Sequence, residues 1–252
     1  MTPLDLARHL AGPVGTLGAS FYFDAGTAAR AEELGLNVYE FYGLGRAGVL
    51  GDVASDDVAA AFHFFHPRTI NFLWTAARAK ADPAAIATEH VEAAYAFADR
   101  TFGGLDPALL AEVAAAAKRA SDADESGRHA LADGYRRVAP PLDPIHGAYL
   151  GMIRLRELRG GVHIEAVVEA GLTPAQACYL EDASIFSLHG YGDADVPEVT
   201  PAMSAAKVAA EAATDEAMAV FFGALDDDGR ASLARGVDAM LAALSDPVAR
   251  TR

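Results

Sequence analysis

The chain has 252 residues, a net charge of −15 and a composition that is 52% hydrophobic and 22% charged. This is the make-up of a folded chain rather than a disordered one, long enough for one sizeable core or two small ones. Its acidity weighs against phosphate backbones, whose binding needs clustered Lys and Arg.

In chain order, the first residues, "MTPLDLARHLAGPVG", lack a basic start followed by an apolar stretch, so no signal peptide and a cytoplasmic location are expected. No uncharged apolar run approaches the ~18–20 residues that cross a bilayer. Helix starts are marked by a capping residue followed by proline at Thr2-Pro3, Asp82-Pro83, Asp106-Pro107, Asp143-Pro144, Thr173-Pro174, Thr200-Pro201 and Asp246-Pro247. Each pairs a side-chain acceptor for orphan amides with a ring preset for the first turn. Thr173 to Gln176 also fits a capping box. Glycines at 35, 103–104 and 171 mark stops, and alanine between them favours helix. Helices are expected near 2–11, 25–34, 56–65, 67–80, 83–102, 107–120, 127–137, 144–159, 162–170, 174–188, 201–224 and 229–244. Only "ASFYF" (19–23) and "NVYEFY" (37–42) have a β-like composition. The fold expected is mainly α, a multi-helix protein in two α-helical halves. The polar stretch "SDADESGR" (121–128) and Pro140-Pro141 place the boundary between 1–138, an aromatic-rich half, and 139–252.

Fourteen of the 21 aromatic residues lie in the first 102 positions, among them Tyr22, Tyr42, Phe62 and Phe65. They fit either a packed core or the wall of a ligand cavity. "FYGLGRAGVLGDV" (41–53) lacks the Gly-Lys-Ser/Thr of a phosphate loop. Its glycines permit a close approach that aims Arg46 inward, which makes Tyr42 and Arg46 candidate substrate contacts. "FHFFHPR" puts His63 and His66 three apart. Two histidines without a third ligand at a recognisable spacing do not make a metal site, so no metal is expected; the pair is read either as a polar edge of the cavity, in contact with substrate, or as histidines satisfied between helices.

The densest charge lies in "RLRELRGGVH" (154–163). On a helix Arg156, Arg159 and His163 share one face, although Gly160-Gly161 is expected to interrupt regular helix. Guanidinium forks suit carboxylate, phosphate or sulfate, and Glu157 and His163 are the candidates for proton transfer. The competing reading makes Glu157 and an arginine the ion-pair glue between helices. Cys178 cannot form a disulfide or a thiolate cluster alone and lacks a partner histidine.

The order "GRAGVLGDVASDDVAAAFHFFHPR", "GRHALADGYRRVAPP", "LRELRGGVH" and "AEAATDEAM" resembles an actinobacterial family of helix-turn-helix or winged-helix proteins, over about Gly12 to Leu244. Its most specific piece is the run of Arg156, Glu157, Arg159, Gly160 and His163; Leu158 and Gly161 stand where histidine and aspartate are expected. The resemblance implies that the C-terminal half derives from a winged-helix domain, with Glu211, Thr214 and Asp215 on its later helix. After Tyr179, however, the family's Arg-Gly-Trp segment, helix and wing give way to a stretch in which residues 172–210 hold five acids and one lysine. Such a balance suits neither a recognition helix nor a wing.

The expected function is therefore a small-molecule-handling protein of specialised metabolism. It is read as a cofactor-independent enzyme that holds an anionic substrate through arginines and moves a proton through Glu157 or His163, as in an elimination or intramolecular substitution. A winged-helix transcriptional regulator and a non-catalytic partner subunit are the alternatives. No nucleic-acid or membrane partner is expected, and a homo- or heterodimer is.

Overall fold

The computed structural model describes residues 1–245. Among them there are helices and turns and no strand, so the fold is mainly α, as the alanine-rich segments and caps imply. Thr2, Asp82, Asp106, Asp143, Thr173 and Thr200 each accept a hydrogen bond from an amide in the first turn of the helix they start. Such caps stabilise a helix by about 1 kcal/mol each. The Asp246-Pro247 pair lies outside the described residues.

The centre of the fold is α9 (Pro144–Glu169). It packs against α1 (Pro3–Ala19), α6 (Pro83–Phe102), α7 (Pro107–Asp122), α8 (Ala130–Arg136) and α11 (Pro201–Phe222). A helix surrounded in this way is buried on every side rather than along one stripe, and all residues from Ala148 to Leu155, Arg154 among them, are buried. α1 also packs on α11 and on α12 (Asp227–Ser245), so the N-terminal helix sits among the C-terminal ones. One buried apolar cluster accordingly runs from Leu6 to Met240 and includes residues on both sides of the 138/139 boundary.

Several local expectations are corrected. Residues 19–23 end α1 and enter a turn, and 37–42 open α3 (Val38–Ala47) behind an Asn37 cap; their aromatic side chains pack on helices instead of pairing as strands. The first helix runs through Pro13 to Ala19 instead of ending near 11. Gly160-Gly161 does not interrupt α9, which continues to Glu169. Its packing on neighbouring helices outweighs the ~1 kcal/mol propensity cost of a helical glycine.

α9 ends where Gly171 adopts φ +77°, and α10 (Pro174–Glu181) starts at the Thr173 cap, giving a helix–turn–helix hairpin. The helix expected over 174–188 stops at Glu181. Short 3-10 turns at Ala183–Ile185 and Asp193–Asp195 follow. This segment folds back on itself, with Phe186 stacked on Tyr191 at 4.7 Å and packed against Cys178. It then reaches the turn between α4 (Ser55–Ala61) and α5 (Pro67–Arg78), where the His66 amide donates to the His189 carbonyl at 2.8 Å.

Candidate functional site

A cavity of about 600 Å3 opens between α1, α3, the Phe62–Phe65 turn, α8 and the middle of α9. Phe62, Phe64, Phe65, Leu131 and Ile164 supply apolar wall, and His63, His129, His163 and His189 supply imidazoles. Its charged lining is four arginines (46, 128, 156, 159) against three carboxylates, Asp57, Glu157 and Glu165. In a chain of net charge −15 this wall is locally cationic.

The floor is a buried ion cluster. Glu157 is 1% exposed at its side chain and accepts three charged hydrogen bonds. Arg46 donates from Nε to Oε1 at 2.9 Å and from Nη2 to Oε2 at 2.8 Å, a bidentate fork, and Arg156 donates from Nη1 to Oε1 at 2.6 Å. Arg46 gives its remaining Nη1 to the Tyr42 hydroxyl at 2.9 Å and lies over the Phe62 ring at 4.4 Å. The Arg156 guanidinium lies 5.2 Å from the Tyr22 ring centroid. Burial alone raises the Glu157 carboxyl, but the two guanidinium charges and their hydrogen bonds outweigh it and hold the group at about 2. Glu157 is thus ionised, fully engaged and a weak base. The expected proton acceptor stands as the counter-ion that fixes two arginines. Because two cations meet one anion, the cluster keeps an uncompensated positive charge. Among the described residues Arg156 makes no other hydrogen bond, which leaves Nε and Nη2 as donors.

The rest of the charged run divides by helix face. Arg154 points away from the cavity and caps the end of α8, donating from Nε to the Tyr135 carbonyl at 3.1 Å and from Nη2 to that of Val138 at 2.6 Å. Arg159 pairs with Glu211 at 2.9 Å and approaches Asp215 at 3.8 Å, while its buried Nε has no partner. His163 Nδ1 lies 2.9 Å from the Thr214 hydroxyl. Burial holds the His163 imidazole below its ordinary pKa and pushes the Asp215 carboxyl up. Arg159 and His163 therefore line the cavity and at the same time tie α9 to α11 through Glu211 and Thr214.

His63 lines the cavity with Nε2 buried and unpartnered, and desolvation lowers its pKa. His66 is a correction: its Nδ1 accepts from the Arg68 amide at 3.1 Å as the cap of α5, and it lies outside the cavity. The three-residue spacing failed because α4 ends at Ala61, so the two histidines are not on one helix. Tyr42, Arg46, His63, Arg156, Glu157, Arg159 and His163 come together at the cavity. Sequence reasoning missed His129, whose only signal was an aspartate five residues earlier in the polar stretch that precedes the boundary, and His189, carried in by the fold-back of the acidic segment.

The helix–turn–helix hairpin presents little to a phosphate backbone. Its exposed residues from the end of α9 onward are Val168, Glu169, Gly171, Thr173 and Glu181, followed by Asp182, Ala183 and Ser184, and the nearby Lys207 is held by Glu181 at 2.7 Å and the Leu180 carbonyl at 2.8 Å. Among the described residues no strand follows to form a wing. No helix among them is long and apolar enough to cross a membrane. The model of a helix-turn-helix family matches residues 7–191, which include both the cavity lining and the α9–α10 hairpin. No curated protein and no solved structure matches the chain.

Proposed function

For a chain that belongs to this helix-turn-helix family, we propose that the cavity, rather than the hairpin, carries the function, and that it takes a small organic anion with an apolar or aromatic body. The observation that carries this reading is the Arg46–Glu157–Arg156 cluster. It fixes a guanidinium with free donors and an unbalanced positive charge at the floor of a cavity walled by phenylalanines. Arg156 and Arg46 share the single charge of Glu157, and an anionic ligand supplies the second negative charge through a charge-assisted, forked contact to Arg156. Arg159 Nε is a second unpartnered donor on the same wall. Glu157 serves as the anchor of the arginines, and proton transfer falls to the imidazoles. On this reading the chain is a small-molecule-handling protein whose reaction class is cofactor-independent acid–base chemistry on the bound anion.

The test is a set of melting curves with benzoate, phosphate and sulfate for wild type and Arg156→Lys. The lysine keeps the charge and loses the fork. A rise in Tm with benzoate that is lost in the variant supports the reading. No rise with any of the three, or an equal rise in both proteins, overturns it.

A second reading, a DNA-binding regulator, is favoured by the family and by the α9–α10 hairpin. It requires a recognition surface, and the acidic and uncharged residues exposed at 173–184 oppose one.

A further inference from the structure

His129 sits at the start of α8 and is buried, with Nδ1 2.7 Å from Asp124 Oδ2. Asp124 is buried too, and its Oδ1 accepts from the Ser126 amide at 3.0 Å. Burial raises the Asp124 carboxyl, but the hydrogen bonds from His129 and Ser126 outweigh it, so the group lies below the usual carboxylate range and is ionised. In the neutral imidazole an ionised acceptor at Nδ1 keeps the proton there and leaves the lone pair on Nε2. That Nε2 has no hydrogen-bond partner, although it is buried. Glu165 Oε1 stands 3.6 Å away, too far for a hydrogen bond, on a side chain that is 41% exposed and also pairs with Arg128 at 3.2 Å. A ligand that moves this rotatable carboxylate aside meets Nε2.

The site also has a built place on α9. A Cβ at Gly161 would come within 2.7 Å of the His129 ring, so the ring occupies the space that the glycine leaves. A helix interior disfavours glycine, and a buried bare nitrogen is disfavoured as well. Both converge on one imidazole in the cavity wall.

We propose that His129, oriented by Asp124, is the proton-transfer residue of the cavity, acting on a weak organic acid such as a phenol whose anion Arg156 holds. This rests on the cavity being an anion site. The ligand O–H bond breaks, its electron pair stays on oxygen, and the proton moves to Nε2. The imidazolium is then flanked by Asp124 and Glu165, and the phenolate by the arginines. Asp124 is a positioning residue.

The test uses 4-nitrophenol, whose anion absorbs visibly, at a pH just below that at which the free probe ionises. Wild type binds it and develops the phenolate band. His129→Asn keeps an amide donor for Asp124 and lacks Nε2, so the arginines take only the phenolate already present in solution and the band at a given probe concentration is weaker than in wild type. Gly161→Ala, which displaces the ring, weakens the band and serves if His129→Asn does not fold. In Asp124→Asn, nitrogen-15 histidine spectra show Nδ1–H giving way to a tautomer mixture. A phenolate band of full strength in His129→Asn, or in Gly161→Ala where that variant alone folds, overturns the assignment while the anion-site reading stands; wild-type binding without ionisation overturns both, because an anion site takes the phenolate. No binding by wild type overturns both.

Discussion

Replacing Glu157 by Gln removes one negative charge from between two guanidinium groups while nearly preserving shape. A carboxyl that titrates at 4.5 when unperturbed and at about 2 in the folded chain stabilises that chain by roughly 3 kcal/mol at neutral pH. Breaking one side of a buried ion pair costs about 3–5 kcal/mol by an independent route, and the two agree. In a chain of this size each kcal/mol moves Tm by about 2–4 °C, so Glu157→Gln is expected to melt roughly 10 °C below wild type at pH 7. Because the folded pKa is depressed, the stabilisation is fully present above 4.5 and is lost as pH falls through 2. The gap between the two proteins should therefore close between about pH 5 and pH 2. Circular-dichroism melts at several pH values measure it. A variant within about 2 °C of wild type at pH 7, or a gap independent of pH, refutes the account of the cluster.

Arg154→Leu should cost about 2–3 kcal/mol by stripping the donors from the Tyr135 and Val138 carbonyls; benzoate should still raise its Tm by the wild-type amount, and loss of that rise would put Arg154 in the site. Thr214→Val removes the hydroxyl bonded to His163 and to the Ala210 carbonyl, at about 1–2 kcal/mol, and hydrogen exchange should show α11 loosening ahead of α9. Fluorescence anisotropy with duplex DNA near physiological salt should show weak or no binding; tight, salt-sensitive binding would restore the regulator reading. Elemental analysis should find no stoichiometric transition metal, because the His66 Nδ1 is committed to the α5 cap and His63 stands without it; one metal per chain lost in a His63→Ala variant would contradict this.

The helix starts were legible because they are local: Thr2, Asp82, Asp106, Asp143, Thr173 and Thr200 act within three residues of themselves. What depended on tertiary packing was not. Gly160-Gly161 reads as a break until α9 is seen enclosed by five helices, and the purpose of Gly161 is visible only beside His129. The β-like aromatics at 19–23 and 37–42 were chosen for ring packing, as Tyr22 on Tyr42 at 4.9 Å shows, rather than for backbone preference. Within the site, the charges of 154–163 marked the right helix but not their division, since Arg154 turns to α8 and Arg156 to the cavity within half a turn. The Arg46–Glu157 fork joins residues 111 apart in sequence, and nothing short-range announces it. His129 was passed over because its aspartate lies in a polar stretch with no catalytic spacing of its own.

The central claim, that the arginine floor of the cavity holds an organic anion, is tested most directly by a crystal structure of the protein grown with benzoate. The account predicts the carboxylate within hydrogen-bonding distance of the Arg156 Nε or Nη2, with the ring against Phe62 or Phe65. An empty cavity in crystals whose benzoate sits elsewhere on the chain would contradict it.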